Sequence, residues 1–290
     1  MINRLPSWLK QELPSKEVLE LSRTIRSNFH LNTVCHSAKC PNVSDCFQKK
    51  HLTFMILGDT CTRNCRFCAV DSVVDNRKEL LIDKDEPERI SKAVEFLGLR
   101  YVVVTSVTRD DLIDGGAEHF AKTITAIRGI NKNIKIEVLI PDFLGLSRAL
   151  EKVVLAKPDI ISHNIETVNR LYPFVRESAE YGRSLKVLES IKLIDSSIET
   201  KSSIMLGLGE KDIEIQESLK DLREINCDTL VLGQYLRPST KQCSVKKFYT
   251  PEEFKYWGRF AYDLGFKGVN SFPLARTSYL IKERQGICTM

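Results

Sequence analysis

From Thr53 onward, short β-branched runs alternate with amphipathic segments, and this alternation limits the folds open to the chain more than any other feature. Thr53–Asp59, Tyr101–Val107, Lys135–Ile140, Asp159–Ile165, Thr200–Leu206 and Thr229–Leu236 read as strands. Tyr101–Val107 is continuously apolar and β-branched, as a strand buried on both faces must be. Between the strands, Glu86–Leu97, Gly116–Arg128, Ser147–Ala156, Ser184–Ile194 and Asp212–Ile225 carry helical periodicity. A last helix opens at Thr250-Pro-Glu-Glu253, an N-cap, a proline in the first turn and a reciprocal glutamate, and runs to about Leu264. Strands alternating with helices of this length imply right-handed βαβ units and a parallel sheet, either an open doubly wound sheet or a barrel.

In either arrangement, sites form at the carboxyl ends of the strands. The polar residues cluster at those ends: Asp59, Thr105 and Ser106, Asp142, His163 to Glu166, Gly207 to Glu210, and Gln234 to Arg237. The residues before Thr53 do not follow the alternation. They read as a separate, loop-rich segment over 1–52, with the alternating unit at 53–271 and a tail at 272–290.

Lys and Arg total 43 against 38 Asp and Glu, a net charge of +5 spread along the chain. No stripe of basic residues marks a nucleic-acid site. No apolar run reaches the length of a membrane span, and the first ten residues hold no signal-peptide core, so the expected compartment is the cytoplasm. Thiols stay reduced there and are available as ligands. Six of the nine cysteines lie between Cys35 and Cys68.

Cys61-Thr-Arg-Asn-Cys65-Arg-Phe-Cys68 directly follows the first strand. Three thiolates at this spacing can wrap one cubane cluster and leave its fourth iron open, as a reactive metal site requires. Zinc sites use paired Cys-x-x-Cys units and four protein ligands, a poorer match. A second triplet, Cys35, Cys40 and Cys46, has wider spacing; alone it fits a second cluster, a zinc site or no site.

The first triplet resembles the motif of the radical S-adenosylmethionine superfamily. That resemblance implies a partial or full (β/α)6 barrel, with a [4Fe-4S] cluster on Cys61, Cys65 and Cys68. The open iron of that cluster binds S-adenosylmethionine and cleaves it to a 5′-deoxyadenosyl radical. The second triplet, the text Thr33-Val-Cys-His-Ser-Ala-Lys-Cys-Pro-Asn42 and the C-terminal Arg276-Thr-Ser-Tyr279 resemble the lipoyl synthase family in particular. So do Thr105 to Gly116, His163-Asn-Ile-Glu-Thr167, Leu171 to Arg176, Lys201 to Glu210 and Leu232 to Pro238, so the likeness runs from about Pro6 to Tyr279.

This family resemblance implies an auxiliary [4Fe-4S] cluster on Cys35, Cys40, Cys46 and Ser278, giving up sulfur to carbons 6 and 8 of an octanoyl group on a protein lysine. A hydroxyl ligand is harder and weaker for iron than a thiolate, which suits a cluster that must open. The resemblance implies an acceptor protein such as the glycine cleavage H protein or the acyltransferase subunit of a 2-oxoacid dehydrogenase. An electron donor such as ferredoxin or flavodoxin and an iron–sulfur carrier complete the partners; neither nucleic acid nor membrane is expected.

For S-adenosylmethionine, Thr105 and Ser106 are expected at the methionine amino group, and Arg176 at its carboxylate through its planar fork. Asn164 and Glu166 are expected at the ribose, and the Met205–Gly209 turn, with Gly207, beside the adenosine. Cys227, Cys243 and Cys288 are expected to be no one's ligands. The chain departs from the family pattern at His36, Phe47, Lys49 to His51, Lys241-Gln242 and Leu280-Ile281, none of them an expected cluster ligand. The rival readings are another radical enzyme with an auxiliary cluster, such as biotin synthase or a dehydrogenase, and a non-catalytic iron–sulfur scaffold or electron carrier.

Overall fold

The computed structural model describes residues 5–10, 14–37, 42, 43, 46, 52–73 and 80–278, apart from the side chains of Cys35 and His36. The strands are β1 (Asn32–Thr33), β2 (Thr53–Ile56), β3 (Thr60–Cys61), β4 (Asp71–Ser72), β5 (Tyr101–Ser106), β6 (Lys135–Leu139), β7 (Ile160–Ser162), β8 (Glu199–Leu206), β9 (Thr229–Gln234) and β10 (Gly268–Ser271). The helices used below are α1 (Lys16–Asn28), α2 (Val34–Ser37), α3 (Glu86–Leu97), α4 (Ala117–Ile130), α5 (Ser147–Leu155), α6 (Tyr172–Val175), α7 (Tyr181–Ile194), α8 (Asp212–Glu224) and α9 (Pro251–Asp263).

One sheet runs in the order β1-β2-β5-β6-β7-β8-β9-β10, and every neighbouring pair except β1–β2 is parallel. A doubly wound sheet reverses its strand order at a switch point. This order never reverses, so each right-handed crossover lays its helix on the same outer face and the sheet curls around an interior. β1 and β10 do not pair with each other among the described residues, so the barrel is partial. The strand–helix units expected from the sequence are present, with ends shifted by a few residues. β7, the fourth of the six expected strands, is the shortest of those six: its pairing stops at Ser162, His163 N still donates to Lys201 O at 3.0 Å, and the chain then bends away until Glu166 bridges to Ile204.

Two corrections concern elements. The segment before Thr53 is not simply loop. Ser15 caps α1 by accepting from Val18 N at 3.4 Å, and Val18 and Ile25 enter the main core. β1 then joins the sheet through the pairs Asn32↔Met55 and Thr33↔Phe54. A seventh parallel strand, β10, follows the six that were expected. Gly-Val-Asn-Ser offers one apolar residue in four, too little for periodicity to flag.

At the base of the barrel interior a polar cluster is built on buried Glu137, Ser162 and Lys201, with Tyr101 half-buried at its edge. Lys201 Nζ sits 3.0 Å from both Glu137 oxygens, Ser162 Oγ donates to Glu137 at 2.7 Å, and the Tyr101 hydroxyl donates to the same carboxylate. With every charge paired, the cluster stoppers the amino-terminal end. The opposite end is open.

Candidate active site

The cysteine loop begins where β2 ends, turning through Leu57 and Gly58 at φ 66° and 94°. β3 pairs with β4, Cys61 opposite Ser72, which closes the loop on itself. Within it, Cys68 N donates to Cys65 O at 3.0 Å. Arg63 N points at Cys61 Sγ (3.4 Å) and Val70 N at Cys68 Sγ (3.5 Å), and the Val70 bond favours the Cys68 thiolate over its thiol. Burial works the other way, raising the Cys65 thiol and pushing Cys68 up to about 12. Without metal, burial thus favours the protonated form of Cys65 and Cys68, and a metal must displace those protons.

Several surrounding segments fasten the loop. Thr62 N donates to Thr108 O at 3.0 Å, Arg66 N to Val175 O at 3.0 Å, and Cys243 N to Arg66 O at 2.8 Å. Gln242 Nε2 reaches Cys68 O at 2.9 Å. Arg63, only 6% exposed, grips two carboxylates in bidentate fashion: Asp110 at 2.6 and 2.9 Å and Asp142 at 2.6 and 3.1 Å. Asp142 also receives Arg183 at 3.2 Å. Burial alone would raise the Asp142 carboxyl, but the hydrogen bonds and charge of Arg63 hold it at about 2.

Cys61, Cys65 and Cys68 all border one cavity of about 500 Å³ at the carboxyl ends of the strands. Its walls include Met55, Phe67, Leu139, Ile140, Met205 and Leu236, and Ser278 borders the same space. Among the described residues, no three thiols, imidazoles or carboxylates converge as the ligands of a single ion would. A cubane asks for something else: three sulfurs spread over three corners, with the fourth corner facing a ligand. The loop offers that donor set.

The expected S-adenosylmethionine residues gather there as well, with one exception. Thr105, Ser106, Asn164, Glu166, Arg176 and Met205 all border the cavity. Thr105 Oγ1 spends its proton on Leu139 O at 2.8 Å, leaving lone pairs that suit an ammonium. Asn164 Nδ2 donates to Glu166 Oε1 at 2.9 Å, so the two act as a unit. Burial raises the Glu166 carboxyl, against the opposing pull of Arg176. Arg176 lies over the Tyr172 ring, and its Nη1 donates to Asn164 O at 2.9 Å and Tyr172 Oη at 3.1 Å.

Gly207 does not border the cavity. At φ 111°, a Cβ there would come within 2.3 Å of Gln234 Nε2 and 2.5 Å of Lys247 O. Its lack of a side chain therefore serves the packing of the β8 turn.

Six buried side-chain polar atoms among the described residues have no hydrogen-bond partner, and three of them, Ser106 Oγ, His163 Nε2 and Arg176 Nε, belong to residues that border this cavity. Orphaned polar atoms around a cleft fit a polar ligand that supplies the missing bonds. His163 received no role from the sequence. Its Nδ1 lies 2.9 Å from Ile140 O, and burial, with the charge of Arg176, lowers it to about 4. It is therefore neutral, with Nε2 a bare acceptor.

The auxiliary residues are only partly in view. Cys40 and the side chain of Cys35 lie outside the described residues, as do Cys288 and Tyr279. Cys35 belongs to α2, whose first residue, Val34, borders the cavity. Cys46 is buried, its N–H bonded to Asn42 O at 3.0 Å, and Asn42 Nδ2 donates to Leu274 O at 2.7 Å. The segment carrying the second triplet thus meets the segment carrying Ser278. Cys227 is remote from the cavity, its thiol pushed up to about 12 by burial. Cys243 is tied to the cysteine loop through its backbone. Sequence reasoning also gave no role to Arg63 and Thr277, although each stands inside a motif it had singled out.

The comparisons agree with this geometry. Residues 55–222 match the Radical SAM superfamily. Among solved structures, methylornithine synthase superposes with a TM-score of 0.54 over 94% of this chain and 81% of its own, at 14% identity. Coproporphyrinogen III oxidase from Escherichia coli, a radical SAM enzyme, gives 0.52 over 72% of this chain and 51% of its own, at 13% identity. At such identities these likenesses speak for the fold. The lipoyl synthase of Caldanaerobacter subterraneus subsp. tengcongensis is 51% identical over 279 residues, 96% of either chain. That of Aquifex aeolicus is 49% identical over 93% of this chain and 96% of its own. An open half-barrel with three thiols at its mouth is common to many radical enzymes, but identity of this order over nearly the full length is not, and the chain belongs to the lipoyl synthase family of sulfur-inserting radical SAM enzymes.

Proposed function

We propose that the chain converts a protein-bound octanoyl-lysine to the lipoyl cofactor, inserting sulfur at carbons 6 and 8. The observation that carries the reading is the shared cavity, with three thiols of one loop on its wall and Ser278 of the C-terminal segment bordering the same space. When bound, the cluster on Cys61, Cys65 and Cys68 with S-adenosylmethionine supplies a hydrogen-abstracting radical, and an auxiliary cluster on Cys35, Cys40, Cys46 and Ser278 supplies the sulfur.

The protein's own residues do the rest. Thr105 and Ser106 accept from the methionine ammonium, and Arg176 directs its remaining donors at the carboxylate. Asn164 and Glu166 hold the ribose hydroxyls. The apolar walls around Met55, Leu139 and Leu236 suit an eight-carbon acyl chain and exclude water from the reacting carbon. The acceptor is an octanoylated lipoyl-domain protein, such as the glycine cleavage H protein or an acyltransferase subunit. Ferredoxin or flavodoxin supplies the electron, and an iron–sulfur carrier renews the auxiliary cluster. No helix among the described residues is long and apolar enough to cross a membrane. The cytoplasm is the compartment that suits these partners and reduced thiols.

Mass spectrometry of an octanoyl-lysyl peptide tests the reading. The peptide is incubated anaerobically with cluster-loaded protein, S-adenosylmethionine and a reductant. A lipoyl peptide with 5′-deoxyadenosine is the expected product. Deoxyadenosine without sulfur in the peptide would remove this substrate, and neither product would remove the enzymatic reading.

A further inference from the structure

The C-terminal segment does not merely pass near the cavity. The carbonyl of Ala275 lies on β9 at Gly233, where a Cβ would come within 2.2 Å of it, so any other residue at 233 would lift the segment off the sheet. Two residues on, Thr277, 8% exposed, sends its hydroxyl to Asn164 Oδ1 at 3.1 Å, across 113 positions of sequence. Asn164 is the partner of Glu166 at the ribose end of the proposed S-adenosylmethionine site. Ser278, the proposed auxiliary-cluster ligand, is the next residue, one peptide unit away.

The direction of these bonds is fixed by chemistry. The Asn164 side-chain oxygen can only accept, and it faces the Thr277 hydroxyl, while its NH2 is turned toward Glu166 Oε1. Thr277 is therefore the donor, and its hydroxyl fixes the orientation in which Asn164 supports Glu166. Arg176 independently holds the Asn164 backbone through its carbonyl at 2.9 Å. Loss of the Thr277 hydroxyl should therefore release the side chain without displacing the strand end.

We propose that Thr277 is a positioning residue that registers Ser278 against the Asn164–Glu166 pair, so that filling the S-adenosylmethionine site and placing the auxiliary-cluster serine are coupled. The proposal rests on the proposed roles of Ser278 and of Asn164 with Glu166. Such coupling is reciprocal: whatever S-adenosylmethionine contributes to holding Ser278, the ligated serine returns to S-adenosylmethionine affinity.

The test uses the full chain loaded with both clusters under anaerobic conditions, as wild type, Thr277→Val and Thr277→Ser. Valine keeps the shape without the donor, and serine keeps the donor. In wild type and Thr277→Ser, S-adenosylmethionine slows amide exchange across residues 275–278. In Thr277→Val that protection is lost and S-adenosylmethionine binds roughly tenfold more weakly by calorimetry, the scale of one buried hydrogen bond. Ser278→Ala weakens S-adenosylmethionine binding in the wild-type background but not in the Thr277→Val background, where the coupling is already gone. Unchanged affinity and protection in Thr277→Val, or a Thr277→Ser protein that behaves like it, overturns the proposal. If Ser278→Ala keeps full iron content and an unaltered Mössbauer spectrum, the ligand role of Ser278 fails and the proposal falls with it. An altered spectrum together with a wild-type Thr277→Val overturns the coupling alone.

Discussion

Arg176 at the cavity and Arg63 within the cysteine loop bear different loads, and their replacement should read out differently. Arg176 still has donors to offer an anionic group, with Nε buried and without a partner. Arg176→Ala should raise the Michaelis constant for S-adenosylmethionine roughly tenfold or more, the range for a charged hydrogen bond, while iron content stays unchanged. Steady-state kinetics with parallel iron analysis checks this, and an unchanged constant removes the role. Arg63 does not border the cavity and ties the cysteine loop to Asp110 and Asp142. Its effect is visible in the acid range. Asp142 is held at about 2 in the folded protein against an ordinary value of 3.8, so its pairing stabilises the fold fully above about pH 4. That stability is lost as the pH falls through about 2, and the shift is worth about 2 kcal/mol. Denaturant titrations of metal-free protein between about pH 2 and 6 should show this slope, and Asp142→Asn should flatten it. The cysteines were legible because three thiols at fixed spacing have few other uses. Arg63 and Thr277 were not, because an arginine or a threonine in a motif announces nothing until its partner, 47 to 113 positions away, is known.

Elements with strong local signals formed as their residues dictate. In α9, Glu253 N donates to Thr250 Oγ1 at 3.2 Å while Thr250 N donates to Glu253 Oε2 at 2.8 Å, the reciprocal cap read from four letters of sequence. Thr250→Ala should cost about 1 kcal/mol in urea unfolding, since it leaves first-turn N–H groups unanswered. The elements that escaped notice, α1, β1 and β10, share a physical cause. Each is held by tertiary contacts rather than by its own pattern. β1 is two residues long, and β10 is half-buried along its whole length. In α1 the buried stripe is as thin as Val18 and Ile25, diluted by charged neighbours. Similarly, the fourth strand reads long in sequence because Ile165 continues the apolar run. In the fold, residues 163–166 leave the ladder to present His163, Asn164 and Glu166 to the cavity.

At the scale of the molecule, strand order decided what local patterns left open, since helices alternate with strands equally well in a doubly wound sheet and in a barrel. The expected metal inventory belongs to this scale. Wild-type protein reconstituted without oxygen should hold about eight irons, two cubane clusters. Replacing Cys61, Cys65 and Cys68 together by Ala should leave about four, and colorimetric iron and sulfide assays decide between this and a single-cluster protein. Replacing Cys227 and Cys243 together by Ser should leave the count unchanged.

The joint between Asn42 and Leu274 bears on how such a protein comes into being. A ribosome delivers the chain from one end. Asp110 and Asp142, the partners of Arg63, are made before the chain is half complete, and Val175, Gln242 and Cys243, which also fasten the cysteine loop, follow. The other face waits. Asn42 has no carbonyl to grasp and Gly233 no cover until residues 274 and 275 appear. The seam of the vessel is therefore sewn last, after every other hold on the cysteine loop has been made.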